Sequence, residues 1–350
     1  MSKTAACFAL GVVSFLLVSE LVLTVLPVST STATGYYLDS QILTYPPKHA
    51  WTNATGWDLR NSQNQRSNNA GFVAHRDFEH NPRAIAFIGD SYVEASMLDA
   101  DQRPGQQLER ALADGRPVFT MGGPGSAFLD YAERIRLAHS RYGVRDFVLL
   151  MERSDVRQSL CGSGNIHGPC LDRQTFAPGT ETQPPPDAIK RILRHSALAQ
   201  YVFGQLRFDL NRLWRQAIAQ SRPVQHALTE PNAVRRTDAN ADELTPQGLE
   251  AIVSAFFNRI HGNVDGKLVI VLDTDRSAMY RGQPTADPLR TRFIALAESH
   301  GAIVIDTEPI FRAQLARSPL RLDVGPYDGH LNALGVQLVA QAAATALRKK

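Results

Sequence analysis

The chain has 350 residues, about two average domains in length. Apolar residues make up 43% and charged residues 20%, a globular balance that argues against wholesale disorder. Lys and Arg number 37 against 34 Asp and Glu, with no dense basic tract, which argues against a dedicated nucleic-acid binder; three cysteines without a CxxC pair argue against a zinc ribbon or a disulfide-dense mini-fold.

Residues 5–28, AACFALGVVSFLLVSELVLTVLPV, carry a single charge, Glu20. As a helix they would span about 36 Å, enough for a hydrocarbon core of about 30 Å. A secretory signal has a shorter apolar stretch, of about 7–15 residues. The expectation is an uncleaved N-terminal anchor, with a cleaved signal in STSTATG (29–35) as the alternative. Lys3 precedes the run and the next basic residue is Lys48, which places the N-terminus in the cytoplasm and the remainder outside. In a Gram-negative bacterium that side is the periplasm.

Residues 29–80 are polar and weakly periodic, and read as a stalk or an extended lead-in packing on the domain. Asn53-Ala54-Thr55 within them matches the glycosylation acceptor pattern. Continuous apolar runs then follow: AIAFIG (84–89), PVFTM (117–121), DFVLLM (146–151), KLVIVLD (267–273) and AIVIDT (302–307). Runs of this kind suit strands covered on both faces. Helices are expected at 106–114, 127–142, 246–260, 287–300 and 333–347. Strand–helix alternation implies a parallel α/β sheet with right-handed crossovers. The long gap after the third run holds a proline run (183–187) and an amphipathic stretch (189–220), so a largely helical insertion is expected at about 158–245, within a domain of residues 81–350.

Cys161 and Cys170 bracket CGSGNIHGPC. A disulfide there agrees with export. Free thiols, or a metal site sharing His167, are the alternatives, and three ligands in a flexible loop make a poor zinc site.

The first run ends in FIGDSYVEA (87–95), so Ser91 lies just past the carboxyl end of a parallel strand, the edge where open α/β sheets bind ligands. A serine exposed there and backed by unpaired backbone N–H groups has what a nucleophile and an oxyanion hole need. Alone, Gly-Asp-Ser is also ordinary turn chemistry. YDGHLNALG (327–335) stands before the last helix and supplies His330, with Asp328 two residues upstream; a serine nucleophile needs a histidine base held by a third group. Asn332 caps the helix that follows.

These blocks resemble the SGNH/GDSL hydrolase superfamily, over roughly residues 80–160 and 265–350. The resemblance implies a flavodoxin-like three-layer sandwich around a central parallel five-stranded sheet, with Ser91 as nucleophile, His330 as base and Asp328 as its orienting carboxylate. In TMGGPG (120–125), Gly125 is the best match to the family's oxyanion glycine, while Thr120 replaces that block's leading Asn. In MERSDV (151–156), Asp155 fits but Ser154 stands where the family has an Asn whose amide binds the oxyanion. Losing such a donor typically costs about 3–4 kcal/mol of transition-state stabilisation. The family's last block is usually Asp-x-x-His; here it is Asp-x-His, as in related envelope acyl-modifying enzymes, and Tyr327 takes the usual Asp position.

Ser91, Gly125 and Ser154 are thus the candidate oxyanion donors, and Asp90, Arg153, Asp155 and Asp275 the candidate substrate contacts. The charges at 152–157 and 273–276 equally suit solvated salt bridges. The implied activity is a serine esterase acting outside the membrane on O-acyl esters of envelope glycans, and it requires no metal or organic cofactor. O-acyl transfer to a polysaccharide and non-catalytic glycan binding or assembly are the alternatives. The implied partners are an acylated small molecule or glycan and the membrane, not nucleic acid.

Overall fold

A computed structural model describes residues 3–30, 32–59, 61–163, 168–185, 187–206, 208, 244–283, 287–325 and 328–349. His167, Tyr327 and most of the stretch from 207 to 243 lie outside the described residues. The chain divides into two compact units. One comprises Met1–Thr32, Trp51–Asn64 and Pro185–Glu243, and the other Ala33–Ala50, Gln65–Pro184 and Leu244–Lys350.

The first unit contains helix α1 (Lys3–Val25), none of whose residues is buried. It is the one described helix long and apolar enough to cross a membrane. A six-residue helix, Ala188–Leu193, and a further helical turn, Ala197–Ala199, also belong to this unit.

The second unit is built on five parallel strands: β1 (Ile85–Gly89), β2 (Val118–Gly122), β3 (Asp146–Met151), β4 (Leu268–Leu272) and β5 (Ile303–Asp306). Their order in the sheet is β2-β1-β3-β4-β5. This is the doubly wound arrangement in which the chain starts centrally, steps to one side, then crosses back, leaving a crevice at the reversal between β1 and β3. Register is unbroken where the site forms: Gly89 pairs with Gly122 on one side and with Leu150 on the other.

The apolar runs are continuous because both faces of the sheet are covered. Ala86, Ile88, Phe119, Phe147, Leu149 and Ile270 face one core, which includes Phe128, Phe256 and Phe293 from helices α4 (Phe128–Tyr142), α5 (Pro246–Ile260) and α6 (Pro288–Ser299). The alternate residues Ile85, Phe87, Val118, Val148, Leu150 and Val269 face the other. That core includes Leu108, Phe311 and Val339 from α3 (Pro104–Leu112), α7 (Thr307–Arg317) and α8 (Ala333–Arg348). The period of two along each strand sorts successive side chains to opposite layers.

Two expectations need refinement. Helix α7 was not expected: its apolar residues are few, and Pro309 and four charged or amide side chains interrupt the pattern. The polar lead-in is also more than a stalk. Its parts within the second unit contribute Ile42, Ala70, Phe72 and Phe78 to the first core, and Phe78 stacks on Phe119 of β2 at 4.7 Å. Cys161 and Cys170 are disulfide-bonded, and Cys170 lies in the first strand of the antiparallel pair Gly168–Leu171 and Pro178–Glu181.

Candidate active site

The carboxyl end of β1 delivers the serine. Asp90 caps the one-turn helix α2 (Ser91–Glu94), its carboxylate accepting from the Tyr92 N–H at 2.8 Å. The turn folds tightly over the sheet edge because its neighbours are glycines. A Cβ on Gly89 would lie 2.5 Å from Val93 Cγ2 and 2.7 Å from the Leu150 carbonyl oxygen; one on Gly122 would lie 2.3 Å from the Glu94 nitrogen. Any side chain at either position would push α2 away from the strand ends.

The histidine arrives from the opposite end of the chain on a short antiparallel pair, β6 (Asp323–Gly325) and β7 (Asp328–Leu331). Leu331 enters the core while its neighbour His330 points the other way, as strand alternation requires. Asn332 then caps α8, accepting from the Gly335 N–H at 3.0 Å, and its amide donates to the carbonyls of Arg321 and Asp323.

Three side chains meet here. The Ser91 hydroxyl lies 2.8 Å from His330 Nε2, and His330 Nδ1 lies 2.5 Å from Asp328 Oδ1. That same carboxylate oxygen accepts the His330 backbone N–H at 3.0 Å. With Nδ1–H donated to a carboxylate, Nε2 carries the lone pair that faces the serine proton. Ser91 and His330 are both half-buried, shielded but within reach of solvent.

Gly125 sits in the loop after β2 in the left-handed region, φ 71°. Among the described residues, neither its N–H nor that of Ser91 is spent on a protein acceptor. Ser154 is placed differently. Its hydroxyl and its backbone N–H both donate to the Glu152 carboxylate, and Gln158 Nε2 donates to its oxygen at 2.7 Å. The one hydroxyl hydrogen is directed at that carboxylate.

The four candidate substrate contacts also have other work. Asp155 is fully buried and accepts from the Tyr131 hydroxyl and the Glu152 N–H, each at 2.8 Å, so it braces the turn after β3. Burial, with the nearby Asp90 charge adding to it, pushes the Asp155 carboxyl well above the ordinary range. Asp90 is buried at the α2 cap, and burial pushes its carboxyl up to about 6. Arg153 and Asp275 pair with each other at 2.7 Å, and Asp275 caps the turn Arg276–Tyr280.

Three groups have partners that the sequence reading did not assign, although Arg276 stood among the charges noted at 273–276. Arg134 of α4 is fully buried; it donates to the carbonyls of Gly89 and Met121, at 2.5 and 3.0 Å, and to the Ser126 hydroxyl. It therefore ties the ends of β1 and β2 to the oxyanion loop. Its signal was present: an arginine in register with Tyr131, Ile135 and Ala138 on an otherwise apolar stripe. Arg276 is 6% exposed, and its guanidinium reaches the Gly329 carbonyl at 2.5 Å, the Tyr92 hydroxyl at 3.1 Å, Asp273 at 3.0 Å and Asp323. The Tyr92 hydroxyl also donates to the Gly329 carbonyl at 3.1 Å, and its ring lies 4.7 Å from that of His330. Glu94, the last residue of α2, accepts from the Tyr45 hydroxyl at 3.1 Å, and burial pushes it up to about 7. Nothing in the local sequence marks the last two pairings.

No family model matches the chain, and none of the curated proteins does. Several solved structures resemble it remotely. An α/β hydrolase from the metagenome of Lake Arreo, Spain, is 16% identical over 78% of this chain and 99% of its own, with a TM-score of 0.37. A lipolytic protein of the G-D-S-L family from Veillonella parvula is 12% identical over 76% and 97%, with a TM-score of 0.38. An acetylxylan esterase from Geobacillus stearothermophilus is 11% identical over 78% and 97%, also at 0.38. The fold is read from the chain's own topology. The strand order, with Ser91 at the carboxyl end of the central strand beside the reversal, is that of the expected flavodoxin-like three-layer sandwich around a parallel five-stranded sheet.

Proposed function

We propose that the protein is a serine ester hydrolase, and the observation that carries this reading is the Ser91–His330–Asp328 relay. Ser91 Oγ attacks the ester carbonyl as its proton passes to His330 Nε2. The carbonyl oxygen becomes an oxyanion, held by the N–H groups of Ser91 and Gly125. Asp328 keeps the imidazole in the required tautomer and stabilises the imidazolium. When the tetrahedral species collapses, the C–O bond to the alcohol breaks and His330 returns its proton to the leaving oxygen. The acyl group now sits on Ser91. Water, deprotonated by His330, attacks it and releases the acid and free enzyme. A sugar hydroxyl in place of water would make the same enzyme an O-acyltransferase.

Three further points belong to the proposal. The α/β unit lies outside the cytoplasm, which the apolar helix α1 and the Cys161–Cys170 disulfide support. The substrate is an O-acylated envelope glycan or a small acyl ester; location alone suggests the glycan. Ser91, His330 and Asp328 are catalytic, and residues 158–245 are an insertion in the sequence of the hydrolase domain. Non-catalytic binding is the rival reading, and the commitment of the Ser154 hydroxyl to Glu152 is what favours it.

Fluorophosphonate labelling tests this directly. The wild-type protein should be labelled at Ser91 and should hydrolyse p-nitrophenyl acetate. A wild-type chain that takes no label and turns over no short-chain ester would support the binding reading instead.

A further inference from the structure

The first unit holds an arrangement unrelated to the triad. The single charge in α1 is Glu20, five residues before the end of the helix at Val25, which is about 7–8 Å along its axis. A carboxylate at that depth is costly unless partnered. Its partners come from a segment 176 residues later. The carboxylate accepts from the Ser196 hydroxyl at 2.8 Å, the Ala197 N–H at 2.7 Å and the Leu198 N–H at 3.0 Å. Ser196 in turn accepts the Ala199 N–H at 3.1 Å. The turn at 196–199 is thereby held at the level of the last turns of α1.

The residues on either side of that turn are unusually apolar for an exposed surface. In the helix Ala188–Leu193, Ile189 is 69% and Ile192 72% exposed, and Leu193 is exposed as well. Spacings of three and four place these side chains on one face. Phe203 and Leu206 are exposed beyond the turn, and so is Trp57 of the same unit, whose carbonyl accepts from the Tyr201 hydroxyl at 2.9 Å. Between the apolar positions stand Lys190, Arg191 and Arg194, and no acidic residue occurs from 188 to 206. Apolar side chains interleaved with basic ones, with tryptophan and tyrosine beside them, suit the boundary between headgroups and acyl chains.

We propose that residues 188–206 form a second membrane contact, lying in the interface of the leaflet that α1 exits, with the isoleucines in the acyl region and Arg191 and Arg194 on anionic headgroups. The observation that selects a bilayer over other occupants is continuity: Glu20 fixes this segment against the helix that crosses it. The proposal rests on the reading of α1 as a spanning helix. Its consequence is that the first unit is tied to the bilayer surface at two places, restricting how the chain tilts about α1.

The test uses the full chain in vesicles of 70% phosphatidylcholine and 30% phosphatidylglycerol. An environment-sensitive nitrobenzoxadiazole probe is attached in turn at Ile192→Cys, at Cys7 within α1, and at Leu320→Cys on the second unit; Cys7→Ser serves as background for the two introduced cysteines. Doxyl-labelled lipid should quench the 192 probe severalfold, quench the Cys7 probe, and leave the 320 probe unchanged. Arg191→Glu with Arg194→Glu, or vesicles of phosphatidylcholine alone, should reduce quenching at 192 and leave Cys7 unaffected. An unquenched 192 probe beside a quenched Cys7 probe overturns the proposal while sparing the spanning reading. An unquenched Cys7 probe overturns both. Energy transfer between differently labelled 192 copies, without lipid quenching, assigns the face to a second copy of the chain and also overturns the proposal.

Discussion

Arg276 holds the carbonyl of Gly329 at 2.5 Å, one peptide away from His330. The same guanidinium bonds Asp273 after β4, Asp323 at the start of the β6–β7 hairpin and the Tyr92 hydroxyl one residue past Ser91. One buried cation therefore bridges the elements that carry Ser91 and His330. We expect Arg276→Lys to lower kcat about 10- to 100-fold with a smaller effect on KM, because a lysine keeps the charge but cannot bond four partners in one plane. A loss of activity that only tracks the loss of folded protein, with no split between kcat and KM, would assign Arg276 to folding alone. Removing the charge should also destabilise the unit, since Asp273 would remain buried and unpaired.

Ser91→Ala should reduce ester turnover at least about a thousandfold and abolish fluorophosphonate labelling, with an unchanged melting temperature. His330→Ala should match it in rate, and the double variant should be no worse, because the groups act as a unit. Asp328→Asn should cost less in rate than either, provided the backbone still holds the imidazole. Additive losses in the double variant would contradict the relay.

Ser154→Ala should change kcat less than about tenfold. The wild-type hydroxyl already donates to Glu152, so little oxyanion stabilisation is lost with it. A drop of about a hundredfold or more, the usual loss for an oxyanion donor, would show that the serine turns toward substrate during turnover.

Stability should rise as pH falls through the neutral range. Asp90, Glu94 and Asp130 have folded values raised by burial to about 6, 7 and 7, above their unfolded values of 3.8, 4.5 and 3.8. Between those limits the folded chain binds more protons than the unfolded one, so each group opposes folding increasingly as pH rises toward its folded value. Carboxylates lowered by arginine and histidine partners, such as Asp306 and Glu109, act in the opposite sense only below about pH 4.5. Thermal melts should therefore show a melting temperature a few degrees higher at pH 5.5 than at pH 8. Glu94→Gln should flatten that dependence, since an amide can keep the Tyr45 hydroxyl bonded without titrating. An unchanged slope in that variant would remove Glu94 from the account.

Local chemistry carried much of this protein. Continuous apolar runs placed all five strands of the sheet within one or two residues, because a strand covered on both faces leaves no polar alternation to misread. Helices with proline near the start and an apolar stripe, such as Pro246–Ile260, were equally legible. The same holds for Ser91 after β1, since a Gly-Asp-Ser turn at a strand end is written in consecutive residues, and for Asp328 and His330, two positions apart. What only the tertiary structure decided are pairings between residues far apart in the chain and of ordinary local appearance. That Ser154 spends its hydrogen on Glu152, and that Asp90 and Asp155 are buried braces, depends on side-chain direction at a crowded strand end. Arg276 looked like one more loop charge until the fold brought Tyr92, Asp323 and Gly329 around it. Glu20 was a flaw in an apolar run until residues 196–198 closed on it. Pattern and propensity act over a few neighbouring residues, whereas the partner of a buried polar group is chosen by whichever distant segment the packed layers bring within about 3 Å.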